Sequence, residues 1–277
     1  MRWGLIFAAS CSLLAGASRP AVADALHDAD VCGSVEKIDV DKRLAACTAF
    51  IQAPPKSNED LYNTLNIRAD VWYEKGEFER SIQDYDAAIR LRPKFFIAFI
   101  NRGTRWAEHG DIDKAMADFD TAIKIDPYIA VTLVKRGDLW EVKGDHVRAL
   151  ADYDAAIHWE THYSSGSNGA CFERAVLNKE LDRALADCNR AIGLAKAEPE
   201  FYDSRAFLHF RRGEFVEAVN DADKALAVEP KWASSLAVRG VSKLRLGKVA
   251  EGQADLEQAK VLDPDAVEKY AAWGVKP

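Results

Sequence analysis

The sequence predicts an all-α chain built from about six helix–turn–helix repeats. The first observation is a period: six similar segments follow one another in steps of 34 residues, with a single step of 35. The residue at the turn of each segment is Gly76, Gly110, Gly144, Lys179, Gly213 and Gly247. The second observation is a small residue in each second helix, at Ala88, Ala122, Ala156, Ala191, Ala225 and Ala259. The third is a proline after four of these helices, which ends a helix because it lacks an N–H donor.

The first 23 residues have the pattern of a secretory signal peptide. Arg2 provides the positive start, and the stretch from Trp3 to Ala17 carries no charge. Ala21-Val22-Ala23 fits the small-x-small cleavage pattern, so we expect cleavage before Asp24. The apolar stretch is shorter than the about 20 residues that a membrane span needs. Lipidation at Cys11 and a retained membrane anchor remain as alternatives, and we expect no membrane span in the mature chain.

Composition and charge exclude several classes of protein. With 48% hydrophobic residues the chain can bury a core and is not a disordered segment. Removing the first 23 of 277 residues leaves 254, and the net charge changes from −7 to −9 because Arg2 and Arg19 are lost. Nucleic-acid binders neutralise phosphates with clustered basic residues, so this acidic balance predicts no nucleic-acid partner.

The period also divides the chain. Residues 24–61 precede the regular repeats and look like a degenerate helical hairpin. The repeats themselves occupy 62–95, 96–129, 130–163, 165–198, 199–232 and 233–266, and residues 267–277 form a capping helix and tail. The period runs without a break, so it gives no indication of a second domain.

This pattern resembles the tetratricopeptide repeat family, whose unit is a 34-residue helix–turn–helix. The first helix of each unit, helix A, carries the family's small residue at Ala69, Gly103, Gly137, Ala206 and Gly240. The resemblance covers roughly 205 of the mature residues, from 62 to 266. It implies a right-handed α-solenoid, with a terminal helix from Asp265 to Trp273 that covers the exposed end.

The fourth repeat departs from the family pattern. Its helix A starts in the run Ser164-Ser165-Gly166-Ser167-Asn168-Gly169, which starts helices poorly, and we expect a loop and a shortened helix there. Cys171 and Cys188 occupy positions that face each other within such a hairpin. Cys32 and Cys47 repeat this arrangement in the N-terminal segment, so among three connectivities we choose Cys32–Cys47 and Cys171–Cys188. Reduced thiols that fill core space are the alternative.

A polar ladder accompanies the repeats. Arginines recur one residue before the small position of helix A, at Arg68, Arg102, Arg136, Arg205 and Arg239. Aspartates recur in the second helix, helix B, at Asp84, Asp118, Asp152, Asp187, Asp221 and Asp255. We interpret the two series as ion pairs between helices, since arginine suits bidentate, partly buried pairs. A charged binding stripe is the alternative.

The resemblance implies that helix A of each repeat lines a concave groove. Its polar and acidic half comprises Asn63, Asn66, Asp70, Tyr73, Asn101, Thr104, Glu108, Lys135, Asp138 and Glu141. Its apolar half comprises Phe207, Phe210, Arg211, Val238, Val241, Leu244 and Arg245. Only Asn101 and Lys135 match the clamp with which some family members hold an acidic peptide terminus, so we expect a peptide with an apolar part and basic character. The apolar positions have a second interpretation, contact with the capping helix.

These features predict a non-catalytic scaffold or adaptor that binds a peptide or partner protein in the bacterial periplasm, with no cofactor or metal. A secreted protein is the alternative for the location. A carrier or chaperone for an apolar ligand or unfolded chain is the first alternative. A metal-dependent hydrolase that uses His158 and His162 is the second, because the two histidines stand four residues apart on one helix face. No glycine-rich phosphate loop and no nucleophile elbow occurs in the sequence.

Overall fold

The structure, a computed structural model, describes residues 31–33, 39–53, 57–159, 164–195 and 198–277. Within these ranges it contains fourteen helices and no strand, which confirms the all-α repeat fold. The helices are α1 Val40–Gln52, α2 Asn58–Glu74, α3 Phe78–Leu91, α4 Phe96–Glu108, α5 Ile112–Ile125, α6 Ala130–Val142, α7 His146–Trp159, α8 Ser164–Leu177, α9 Leu181–Leu194, α10 Pro199–Arg211, α11 Phe215–Val228, α12 Ala233–Arg245, α13 Val249–Leu262 and α14 Pro264–Ala272.

The predicted signal peptide, residues 1–23, lies outside the described residues. Among the helices that are described, none combines the length and the apolar character that crossing a bilayer requires.

The helices form two compact units, Met1–Arg105 and Trp106–Pro277, and the boundary falls within α4. In the first unit α2 packs against α3, and Tyr62, Leu65 and Ala88 belong to its core. In the second unit the hairpins are α6/α7, α8/α9, α10/α11 and α12/α13, each pair in extensive contact.

The turns explain the recurring glycines. Gly144 between α6 and α7 has a φ of 74°, a left-handed conformation that costs glycine little. In the fourth repeat Lys179 stands at the glycine position, and its neighbours Asn178 and Glu180 take φ angles of 52° and 47° instead. Both are non-glycine residues in a left-handed conformation, which asparagine adopts more readily than most residues.

The small residues allow close helix contact. All six recurring alanines of helix B are fully buried: Ala88, Ala122, Ala156, Ala191, Ala225 and Ala259. A Cβ atom added at Gly137 in α6 would lie 2.8 Å from Cε1 of Tyr153 in α7, closer than real Cβ contacts allow. Glycine at this position therefore admits the tyrosine ring, as the sequence pattern predicts.

The expected loop in the fourth repeat is wrong from Ser164 onward. The helix α8 begins at Ser164 and runs for 14 residues to Leu177, as long as α7. The reason is packing: a Cβ at Gly169 would lie 2.6 Å from Cζ of Tyr153, so the glycine permits α8 to approach α7. Ser167 and Ala170 are fully buried on the same helix. In this run the close packing of α8 on α7 requires small residues, although such residues start helices poorly.

Candidate partner-binding groove

The polar ladder is a set of ion pairs that tie helices together. Arg136 donates from Nε and Nη2 to the carboxylate of Asp152 at 2.8 and 2.6 Å, and from Nη1 to Asp120 at 2.7 Å. Arg239 repeats both contacts, with Asp255 and with Asp223. Each arginine thus joins helix B of its own repeat to helix B of the repeat before. The structural interpretation of the ladder is confirmed, and these side chains are engaged within the fold.

The fourth repeat moves this role to a residue that the sequence pattern missed. Arg174 is fully buried in α8 and donates to Asp187 of α9 at 2.7 Å. It also donates from Nη2 to both oxygens of Asp154 in α7, at 2.6 and 2.8 Å. Cys171 holds the position at which the other repeats carry arginine. The ion pair is displaced by three residues and keeps the same connection between helices.

In the first unit, the predicted polar residues of helix A form one network. Asp70 accepts hydrogen bonds from Tyr85 Oη and, at 3.1 Å, from Nη2 of Arg105. Asn101 joins this set, because its Nδ2 donates to Oδ2 of Asp70 at 3.4 Å and to Oδ1 of the buried Asn66 at 3.3 Å.

Two further predicted positions of this unit are also engaged. The Arg105 guanidinium stacks 4.3 Å from the centroid of the Tyr73 ring. Thr104 instead donates to the carbonyl of Ile100 in its own helix, at 2.8 Å.

In the second unit, a cavity of about 710 Å³ opens on helix A side chains. The acidic and basic side chains of its lining are six carboxyl groups and one lysine: Asp138, Glu141, Glu200, Asp203, Asp263, Asp265 and Lys269. We call it the acidic cavity. Of the predicted groove residues it contains Asp138 and Glu141; Lys135 is not part of its lining. The sequence held a signal for two others, because Glu200 and Asp203 stand at the second and fifth places of the fifth repeat, where the family lines its groove.

Burial shapes the charge of this cavity. Burial raises the pKa of Asp138, and a hydrogen bond from Tyr153 Oη at 2.7 Å opposes that rise. The pKa values of Glu141, Glu200 and Asp203 are raised by burial as well. By accessible surface Asp203 is buried and Glu141 is half-buried, whereas Asp138 and Glu200 are exposed, so a cation that enters gains most from the carboxyl groups of Asp203 and Glu141.

Glu173 lies beside the cavity and is fully buried. Its Oε2 is 2.8 Å from Nδ1 of His146, whereas Oε1 has no hydrogen-bond partner among the described residues. Burial raises its pKa to about 8, and the neighbouring Glu141 carboxylate adds to the rise. Burial also lowers the pKa of His146, so both groups favour their neutral forms and an ion pair between them is disfavoured.

The apolar half of the predicted groove is not open. Phe207 and Val241 are fully buried and Phe210 is 8% exposed, because Tyr270 and Val275 pack in the same cluster. The second interpretation of these positions, contact with the C-terminal end of the chain, describes the structure. An incoming partner has no access to them while that end is in place.

The two predicted arginines of this half hold the same C-terminal end. Arg211 donates from Nη1 to the backbone carbonyl of Trp273. Arg245 donates from Nη2 to the carbonyl of Lys276 at 3.2 Å. Both arginines thus bind main-chain acceptors of residues 273–276.

Comparison with known proteins agrees with this architecture. The tetratricopeptide repeat family model matches residues 68–128. The small glutamine-rich tetratricopeptide repeat-containing protein 2 of Saccharomyces cerevisiae is 32% identical over 93 residues, which is 32% of this chain and 25% of the yeast protein. The chain spans about a quarter of the length of the curated relatives it matches.

Solved structures extend the likeness over nearly the whole chain. A tetratricopeptide repeat protein from Parabacteroides merdae superposes with a TM-score of 0.63 at 18% identity, covering 94% of this chain and 100% of its own. YrrB, described as a tetratricopeptide repeat protein with an unusual peptide-binding site, gives 0.53 at 18% identity, covering 68% of this chain and 97% of its own. Residues 68–128 thus match the tetratricopeptide repeat family, and the fold over most of the chain is that of tetratricopeptide repeat proteins. At these identities the likeness to solved structures establishes the fold.

The four cysteines that follow the predicted signal peptide lie in the pairs that the sequence predicts. Cys32 and Cys47 have Cα atoms 4.8 Å apart, and Cys171 and Cys188 have Cα atoms 5.3 Å apart. Both separations suit disulfides. Each pair is buried within its own unit.

The histidine pair of the hydrolase alternative is only partly described. His158 lies in α7, and its ring stacks edge-on against Trp159 at 4.7 Å. His162 lies outside the described residues. Within the part of the chain that the structure covers, no group of three or more His, Cys, Asp or Glu side chains is arranged to hold a metal ion.

Proposed function

We propose that this tetratricopeptide repeat chain is a non-catalytic scaffold that binds a basic segment of a partner protein in its acidic cavity. The observation that carries the proposal is the lining, in which six carboxyl groups face one lysine across about 710 Å³. Polar residues of helix A in repeats three and five, Asp138 and Glu200, contribute to it from separate hairpins. A peptide that lies along the repeats meets both.

Charge decides the chemistry of the partner. An acidic peptide would place like charges beside the carboxyl groups of the cavity, and such a contact costs on the order of several kcal/mol. Lys269 is the single basic side chain in the lining, against six carboxyl groups. A lysine or arginine side chain of the partner supplies further positive charge. The mature chain's net negative charge also favours encounter with basic partners over acidic ones.

The proposal includes the cellular compartment in which the protein acts. A signal peptide pattern at residues 1–23 and two cysteine pairs at disulfide distance support export to an oxidising compartment, for which we propose the bacterial periplasm. The carrier alternative needs an open apolar surface, and Phe207 and Val241 in the fifth and sixth repeats are covered.

Selection from a phage-displayed library of short random peptides tests the proposal. The full chain should enrich sequences with lysine or arginine, whereas the Asp138→Asn/Glu200→Gln variant should lose that enrichment. A matched control is Glu217→Gln/Glu257→Gln, which removes two exposed carboxylates of helix B and should leave the enrichment unchanged. Circular dichroism verifies that each variant is folded. Equal loss in both variants, or peptides without basic residues, would contradict the proposal.

A further inference from the structure

We propose that residues 264–276, here called the C-terminal segment, occupy the groove as an internal ligand and are displaced by the partner. The partner then carries a helical segment with the same chemistry: a lysine and an aromatic residue, a second aromatic three places on, and an aliphatic residue two beyond. In the C-terminal segment these are Lys269, Tyr270, Trp273 and Val275. The inference rests on the proposed function and names the class of partner for the same groove.

The contacts of the C-terminal segment go beyond those of an end cap. A helix that only covered the last hairpin would contact α12 and α13. Here the Tyr270 ring lies 5.2 Å from that of Phe207 in α10, and the Trp273 ring lies 5.5 Å from that of Phe172 in α8. Trp273 also lies edge-on to His146 in α7, at 5.8 Å. The helix α14 itself packs on α12 and α13, and the aromatic side chains of Tyr270 and Trp273 reach from there to helices of three earlier hairpins.

The chain after α14 is shaped for this path. Gly274 has a φ of 97°, which turns the backbone back so that Val275 is buried. A Cβ at residue 274 would lie 2.8 Å from Nη1 of Arg211, so glycine also permits the arginine to approach. Arg211 and Arg245 then bind backbone carbonyls, and such acceptors are present in any peptide.

Charge complementarity supports a partner of the same type. Lys269 lies over the Trp273 ring at 4.9 Å, and its charge acts on the carboxyl groups of Glu141 and Glu173. Burial raises the pKa values of Glu141 and Glu173, and the charge of Lys269 opposes that rise in both. One lysine leaves most of the acidic cavity without a counter-charge, so a partner with additional basic residues makes contacts that the C-terminal segment lacks.

The C-terminal segment is also an imperfect ligand. Two buried polar atoms at its edge, Nε of Arg211 and Oε1 of Glu173, have no hydrogen-bond partner among the described residues. Only Tyr270 and Val275 of the C-terminal segment are buried, and α14 is nine residues long. Segments with few buried contacts open at low cost, and so short a helix has little stability of its own. Displacement is therefore compatible with an otherwise intact fold.

The test uses the full chain and a fluorescein-labelled peptide of residues 264–277 added in trans. Trp273→Ala weakens the internal segment but leaves the groove, so fluorescence anisotropy should show the labelled peptide binding about tenfold tighter or more than to wild type. Adding Arg211→Ala to this variant removes a groove contact and should abolish the gain. The matched control is Trp159→Ala, which removes a 48% exposed tryptophan of α7 and should behave as wild type.

Trp273→Ala should strengthen binding of the labelled peptide and the added Arg211→Ala should weaken it, and these opposite effects distinguish an internal ligand from a cap. If the C-terminal segment only stabilised the fold, Trp273→Ala would lower the unfolding midpoint without creating peptide binding, and the proposal would be wrong. Light scattering that shows the Trp273→Ala chain as a dimer would overturn it in favour of exchange between copies. In both cases enrichment of basic peptides in the library selection leaves the proposed function standing, and its absence removes that function separately.

Discussion

The hairpins α6/α7 and α8/α9 belong to consecutive repeats, and different side-chain interactions hold their equivalent helices together. In α6/α7, Arg136 binds Asp152, and Tyr153 donates to Asp138 at 2.7 Å. In α8/α9 the arginine and tyrosine positions are Cys171 and Cys188, whose Cα atoms lie 5.3 Å apart. A pair of cysteines thus stands where the first hairpin has a bidentate ion pair and a tyrosine.

The substitution has consequences for neighbouring residues. Because the arginine is absent, Arg174 binds Asp187 from a position three residues further along α8 and becomes fully buried. Because the tyrosine is absent, Glu173 lacks the donor that Asp138 has, and its Oε1 has no partner among the described residues. The comparison shows that a repeat can keep its helix geometry while it exchanges one stabilising interaction for another.

The largest expected effect is the loss of Arg174. Arg174→Met leaves the nearly buried Asp187 and the carboxylate of Asp154 without their partner, and breaking a buried pair costs about 3–5 kcal/mol. Arg136→Met removes a side chain that is 22% exposed, and about 1–3 kcal/mol is expected. Urea denaturation of both variants measures the difference. Arg190→Met, at an exposed arginine 4.0 Å from Asp187, is the control and should change little. Equal losses at Arg174 and Arg136 would contradict the comparison.

The cysteine pair comes next. In the oxidised chain Cys171→Ala/Cys188→Ala opens a link between residues 17 apart, and about 3 kcal/mol of stability should be lost. Reductant should lower the stability of the wild type by at least as much, since it also opens Cys32–Cys47, and should affect the variant less. A wild type that is indifferent to reductant has free thiols, and the export proposal would then lose its support from the cysteines.

Glu173 gives a pH-dependent effect. The pKa of Glu173 in the folded chain, about 8, lies above the ordinary 4.5. The contribution of this group to the free energy of unfolding is therefore fully present at low pH and is lost as the pH rises through 8. Glu173→Gln keeps the shape without the charge. The variant should match wild type near pH 4.5 and be more stable by on the order of 2 kcal/mol at pH 9, since the buried amide still carries a desolvation cost. Urea denaturation across this range measures the difference.

The groups that face Glu173 do not reverse this sign. His146 has a lowered pKa and is neutral over most of the range, Glu141 repels the ionised carboxylate, and Lys269 attracts it. Glu141→Gln is the matched control, since it removes a carboxylate of the same cavity and should reduce the pH dependence of Glu173 without eliminating it. A difference that instead grows toward low pH would show that Glu173 is ionised and paired in the folded chain.

The sequence predicts the features that recur in every repeat, but not those that depend on a single irregular repeat or on distant contacts. The period, the small residues and the Arg–Asp ladder were readable because they recur, and packing requires each of them in every repeat. Arg174 was missed because it stands outside the register, and its role depends on a change at Cys171. The occupied groove was only one of two interpretations because the path of the chain beyond α14 follows from Gly274 and from contacts distant in sequence.

The smallest effects compare two glycines within the α8/α9 hairpin. Gly169→Ala places a methyl group 2.6 Å from the Tyr153 ring, which is 1% exposed and held by Asp138, so about 1–3 kcal/mol should be lost. Gly193→Ala in α9 meets no atom within 4 Å and should add up to about 1 kcal/mol, because alanine favours the helix. Thermal unfolding of both variants measures the two changes. Opposite signs would show that the glycine in the irregular run of α8 is there for contact with Tyr153, whereas stabilisation by both would mean that α8 does not pack against α7 as described.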